Sequence, residues 1–210
     1  MLKIIPVENE ERKSDIKKLF FDYFNETKLI FSQEYNINID VNTFSEQYIT
    51  QLDEFLPPSG RLLLGQYEKQ IAGCVCLRKI RPLEKDFLQE GEREKVKGKG
   101  FFLIPFPFPP YPFPDFCKKS INQDIGEIKR MYVKPQFRQK GIGRALLQAI
   151  INEATDIGYS KLRLDTAPYA KEAHALYRAF GFYNIEPYLE KTEIPLEYRA
   201  NWIFMELILK

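Results

Sequence analysis

The sequence has no apolar run near the ~20 residues a bilayer-spanning helix needs, and its formal net charge is only +2. The first absence argues against a membrane protein, the second against a nucleic-acid or membrane-surface footprint. Cysteine is scarce: Cys74, Cys76 and Cys117 are an odd number, which does not suit a disulfide framework. Cys74-x-Cys76 is also too tight for the usual zinc spacing, so no metal is expected and buried, reduced thiols are. The start, MLKIIPVENEERK, turns acidic before a signal-peptide core can form. A cytoplasmic protein is expected. No internal repeat is visible. Apolar residues at 44% and charged residues at 29% make an ordinary globular balance, and 210 residues suffice for one domain with a full core.

What is present is an alternation of strand and helix signals. LKIIPVE reads as a strand. NEERKSDIKKLFFDYF follows as a helix with Ile16, Leu19, Phe20 and Phe24 on one face. A second helix is expected over Val41 to Phe55, stopped by Pro57, Pro58 and Gly60. Arg61 to Gln66 and Ile71 to Ile80 read as a hairpin around Glu68 to Gln70. Residues 82–120 interrupt the pattern with a charged stretch and FPFPPYPFPDF, irregular or polyproline-like because proline cannot donate to a sheet ladder. That insertion is either an excursion packed by its own aromatics or a lid or partner-binding arm. Regular signals then return: strand IGEIKRMYV, a helix from Gly141 closed by Gly158, strand KLRLDT, a helix from Pro168 to Gly181, and strands FYNIEPY and NWIFMELIL. The fold class expected is mixed α/β.

The turn FRQKGIGRALLQAI poses the chemical question. Two glycines, poor helix formers, open a helix whose apolar stripe is Ile142, Ala145, Leu146, Ala149, Ile150 and Ala154. The first-turn amides of a helix lack intrahelical partners and carry the positive end of the macrodipole. Missing Cβ atoms at Gly141 and Gly143 let a phosphate approach the backbone, and Arg138, Lys140 and Arg144 add charge beside it. The pattern points to a diphosphate-bearing ligand. No Lys-Ser or Lys-Thr follows, so a nucleoside triphosphate loop is disfavoured, and Leu146 stands where a dinucleotide fingerprint needs a third glycine. A tight turn before a surface helix is the bland alternative.

EIKRMYVKPQFRQKGIGRALL, with Arg138-x-x-Gly141-x-Gly143, resembles the acetyl-CoA-binding motif of the GNAT acetyltransferase superfamily. ALYRAFGF, with Tyr177 four residues before Gly181, resembles that family's second signature. The resemblance is strong over about residues 126–188. It implies a largely antiparallel central sheet flanked by helices, with a V where IGEIKRMYV splits from KLRLDT. It implies pantetheine pairing with backbone groups around Met131, Tyr132 and Val133, and diphosphate on the amides of Gln139, Lys140, Gly141, Ile142, Gly143 and Arg144. Acetyl-CoA is then the acetyl donor, and attack is direct within a ternary complex.

The resemblance makes Tyr177 the candidate general acid for the leaving thiolate and Glu127 the candidate base, directly or through water. Tyr177 also belongs to the stripe Ala170, Ala173, Tyr177, Phe180, and Glu127 also reads as an exposed or ion-paired strand residue. The Met131 amide is the candidate oxyanion donor. Alternation puts Glu127, Lys129, Met131 and Val133 on one face unless a bulge shifts them. His174 is read as a surface helix residue rather than a base, and Asp165 and Thr166 end a strand at the cleft. Ala170 stands where many relatives have an asparagine that contacts the cofactor. Phe24, Tyr35, Tyr188 and Trp202 are candidate acceptor-wall residues. A small-molecule amine is the preferred acceptor, with a protein amine and a homodimer left open. The rival class is a non-catalytic acyl-CoA-binding or sensing module.

Overall fold

A computed structural model of the chain describes residues 1–35, 40–80, 125–188 and 202–210. The insertion at 82–120 and Cys117 lie outside the described residues. The elements are β1 (Leu2–Val7), α1 (Lys13–Tyr35), α2 (Val41–Thr50), β2 (Arg61–Tyr67), β3 (Gln70–Lys79), β4 (Ile125–Val133), α3 (Ile142–Ile157), β5 (Lys161–Thr166), α4 (Lys171–Ala179), β6 (Tyr183–Ile185) and β7 (Ile203–Ile208). The strands join one sheet in the order β1-β2-β3-β4-β5-β7-β6. Every neighbouring pair is antiparallel except β4 and β5, which α3 connects as a crossover. The mixed, largely antiparallel α/β sheet expected from sequence is therefore present.

Each face of the sheet has its own core. On one, Ile142, Leu146, Leu147, Ile150 and Ala154 of α3 pack on Leu63, Val75, Leu77, Ile128 and Leu162. On the other, Ile16, Leu19, Phe20 and Phe24 of α1 join Phe55, Leu62, Leu64, Cys74 and Cys76. The apolar periodicity of both helices was sufficient to orient them. Among the described residues, no helix is long and apolar enough to cross a membrane.

Several boundaries differ from the sequence expectation, each for a local reason. Helix α1 runs past Phe24 to Tyr35 because no proline or glycine intervenes. The second helix stops at Thr50 and the chain tightens into a 3-10 turn at Leu52–Phe55, burying Leu52 and Phe55. Pro168 falls in the turn before α4 rather than in its first turn; there the Ala170 N–H donates to the Ala167 carbonyl at 3.1 Å. The hairpin turn takes Glu68 and Lys69 through positive φ, 49° and 68°, the twist a tight hairpin needs.

Candidate active site

The turn before α3 takes the shape its glycines suggest. Gly141 sits at the helix N-cap with φ 77°, and Gln139 also has positive φ, 63°. A Cβ built on Gly141 would meet nothing within 4 Å; one on Gly143 would point at Leu176, Met131 and Val133 at 3.5–3.9 Å. The cradle therefore faces open space at Gly141, while Gly143 packs toward the side chains of Leu176 on α4 and Met131 and Val133 on β4. Its cations are already engaged. Lys140 Nζ lies over the rings of Tyr67 and Phe137, 4.9 and 5.5 Å from their centroids, and Arg144 lies over Phe180 at 5.2 Å. Arg138 turns away from the cradle: it donates twice to Glu26 of α1, at 2.6 and 2.7 Å, and once to the Val133 carbonyl at 3.0 Å.

Beside the cradle the sheet opens. Strands β4 and β5 pair only from Ile125–Lys161 to Glu127–Arg163, whereas β5 pairs with β7 along its whole length. A bulge in β4 accompanies the parting. Cys74 faces Tyr132 while Cys76 faces Lys129, so two steps on β3 match three on β4, and Arg130 takes φ 50°. A bulge bends a strand and increases its twist. It also breaks the alternation. Ile128, Met131 and Val133 pack on the α3 side, while Tyr132 packs with α1 and Arg130 stacks over Phe20 and Phe55. Glu127 and Lys129 therefore face the α1–α2 side and Met131 and Val133 the other, correcting the single face that strict alternation gives. The Lys134 N–H donates to Ala72 on β3 at 2.8 Å, so alternation turns the Val133 N–H, one residue back, away from β3, while Met131 lies at the bulge itself.

On the α1–α2 side of the parting lies a buried cluster of charge. Glu127, 2% exposed, accepts from Arg78 Nε at 2.8 Å on Oε2 and from the Tyr188 hydroxyl at 2.9 Å on Oε1. Lys129 Nζ lies 3.5 Å from Glu127 Oε1 and 2.5 Å from Asp165 Oδ1. Arg78 also donates to Glu54 at 3.0 Å. The Tyr188 ring meets Phe204 edge-on, 5.2 Å between centroids, and Arg163 lies over it at 5.4 Å. Tyr177 comes from α4 on the far rim, 7% exposed, with Phe182 5.7 Å away. Burial, then the neighbouring Tyr23 and Asp165, push its phenol well above the ordinary value, so it holds its proton at neutral pH.

The sequence of residues 18–182 matches the family model of the acetyltransferase (GNAT) family, more than half of the chain. The chain belongs to the GNAT family. It is 28% identical over 202 residues to an uncharacterised N-acetyltransferase of Dictyostelium discoideum, covering 87% of this chain and 90% of that one. Among solved structures, a GNAT acetyltransferase of Staphylococcus aureus Mu50 superposes with TM-score 0.62 at 17% identity, covering 100% of both chains. The PaiA N-acetyltransferase of Thermoplasma acidophilum, solved with coenzyme A, superposes with TM-score 0.58 at 12% identity, covering 100% of this chain and 99% of that one. By family and fold this GNAT protein is an acyltransferase of the N-acetyltransferase class.

Within this GNAT fold, Gly143 stands beside Met131, Val133 and Leu176, while the side chains of Ile142 and Tyr177 belong to the core beneath α3 and Gly141 faces open space. Gln139, Lys140 and Arg144 stand exposed at the cradle. Tyr132 sends its ring to the α1 side, 5.7 Å from Tyr23. His174 is not a surface residue: it is 5% exposed, and its Nε2 lies 2.9 Å from the Ala167 carbonyl, fastening the turn after β5. Phe24 is core rather than wall. Trp202 packs with Tyr188 and Phe204, 5.9 Å from Phe31, and the Tyr35 side chain lies outside the described residues. Sequence reasoning did not assign Arg78 or Tyr23. An arginine in the apolar run GCVCLRK was the available signal for the first.

Proposed function

We propose that the protein is an acetyl-CoA-dependent N-acetyltransferase that acetylates a primary amine by direct attack in a ternary complex, in one cytoplasmic domain. The observation that carries this is the parting of β4 from β5 past Glu127–Arg163 beside a helix N-terminus opened by Gly141 and Gly143. A diphosphate fits the cradle because no Cβ fills it, and a pantetheine arm fits the parting of β4 from β5. Gln139 to Arg144 would hold the diphosphate, with Met131, Tyr132 and Val133 offering backbone groups to the arm. The side chain of Arg138 reaches the phosphates only by leaving Glu26.

Acetyl-CoA supplies an activated acetyl group. The Met131 N–H, at the bulge beside the parting, stabilises developing negative charge on the carbonyl oxygen. Tyr177, kept protonated, gives its proton to the departing sulfur. Glu127, anchored by Arg78 and Tyr188, draws the ammonium proton away indirectly, because both its oxygens are engaged. A small-molecule acceptor is the preferred reading; the solvent-open depression of about 400 Å³ beside Tyr188, lined by Lys161, Arg163, Ile185, Pro187 and Glu206, lies on the paired end of β5 rather than at the parting.

The test is release of CoA thiol from acetyl-CoA across a panel of amines. Turnover that falls by roughly 10² or more in Tyr177→Phe, with CoA affinity unchanged, supports the reading. CoA binding without turnover on any amine favours an acyl-CoA sensing module instead.

A further inference from the structure

The two carboxylates of the charge cluster stand on opposite rims of the parting, Glu127 on β4 and Asp165 on β5, and the same two donors bridge them. Lys129 Nζ lies 2.5 Å from Asp165 and 3.5 Å from Glu127, while the Tyr188 hydroxyl lies 2.9 Å from Glu127 and 3.5 Å from Asp165. Glu127 and Asp165 are therefore one coupled pair joined across the gap where the backbone ladder fails. They are not equivalent members. The Glu127 side chain is 3% exposed and both its oxygens accept, one of them from Arg78. The Asp165 side chain is 11% exposed, and its contacts among the described residues all fall on Oδ1. Among the described residues, Oδ2 is the one carboxylate oxygen of the pair with its accepting capacity in reserve. Asp165 also stands toward Tyr177, whose proton its charge helps to retain.

We propose that Asp165 is the carboxylate that meets the acceptor: its Oδ2 takes the proton from the incoming ammonium, and Glu127 acts behind it. The step balances within the site. The ammonium N–H bond breaks, an O–H bond forms at Asp165, and the electron pair left on nitrogen is the nucleophile. Asp165 returns its proton to solvent after turnover. Lys129 and Tyr188 are positioning residues that hold the pair together. Among the described residues, the charged or titratable groups around Asp165 are Lys129 and Glu127 from β4, Tyr177 from α4 and Tyr188 after β6, with Arg78 and Arg163 one contact further out. The inference rests on the acetyl-transfer reading and adds to it the group that touches the amine.

The experiment uses the full chain with acetyl-CoA and single acceptors: propylamine, lysine and spermidine, which are ammonium ions near neutrality, and hydroxylamine, which is already neutral. Asp165→Asn should bind CoA as wild type does and lose about 10²-fold or more in kcat/KM with the alkylamine that serves wild type best. The fall of kcat/KM toward low pH, which reports the base in the free enzyme, should disappear, and hydroxylamine should be acetylated nearly as fast as by wild type. Glu127→Gln should shift that low-pH limb without removing it. Asp165→Glu, which keeps the charge, should recover part of the rate and guards against a misfolded asparagine variant. An intact low-pH limb in Asp165→Asn, or its loss in Glu127→Gln alone, overturns the assignment while leaving acetyl transfer standing. If wild type turns over none of the amines, acetyl transfer falls, and this inference with it.

Discussion

Replacing Gly143 by alanine should separate stability from cofactor affinity. The added methyl would sit 3.5 Å from Leu176 Cδ2, 3.7 Å from Met131 Cε and 3.9 Å from Val133 Cγ2, all ordinary contacts. Gly143 is in the first turn of α3 and has no positive φ, so alanine meets no backbone strain there. Helix propensity favours alanine over glycine by up to ~1 kcal/mol. For a chain of this size that amounts to a gain of zero to ~4 °C in Tm. The same methyl occupies the side of the cradle that faces Leu176, Met131 and Val133. A ligand fitted to the glycine must move or distort around it, at about 1–3 kcal/mol by analogy with overpacked cores. That is a loss of roughly 5- to 150-fold in Kd for CoA. Isothermal titration with CoA and a thermal melt on one preparation measure both. An unchanged Kd in a variant that melts at or above the wild-type temperature would refute the cradle, since the phosphates would then not pass Gly143.

Gly141→Ala should behave oppositely in the melt: its Cβ meets open space but φ is 77°, and the left-handed conformation costs a non-glycine residue roughly 1–2 kcal/mol. Gly73→Ala should be worse than either, because its Cβ would collide with the Tyr132 carbonyl beside the bulge. A loss of about 3 kcal/mol in urea unfolding is expected, and a melt equal to wild type would show that β3 and β4 yield there. Glu206, 4% exposed, is pushed up by burial, yet hydrogen bonds from Tyr183, Arg163 and Lys161 together leave it below the ordinary carboxylate value. A depressed folded value gives stability that is present above the unfolded carboxylate range and lost as pH falls through the folded one. Glu206→Gln should therefore cost about 2 kcal/mol at pH 7, with the gap to wild type narrowing in acid; a gap independent of pH would sink that account.

Local pattern carried the helices and the cradle, because 3.6-residue periodicity and paired glycines lie within a few residues of what they specify. The bulge was only half legible. Its positive φ falls on Arg130 rather than on glycine or asparagine, so no turn residue marked it. The destinations of charge were hidden for a different reason. Arg138 is 112 residues from Glu26, and Lys129 is 36 from Asp165; a charge meant for phosphate and a charge meant for a carboxylate look alike until the chain is folded. His174 looked like a surface residue because an imidazole on a polar-looking helix gives no hint that a carbonyl of the preceding turn will cover it. Glu127 was found as a candidate, but its clamp of Arg78, Tyr188 and Lys129 comes from three separate stretches.

The extra residue in β4 has a consequence beyond the side chains it redirects. An ordinary strand in that place would continue its ladder with β5 and heal the sheet shut. By spending one surplus residue on its β3 edge, the strand leaves its other edge with nothing to zip against. The cleft is thus a seam never closed rather than a hollow carved out of packed matter.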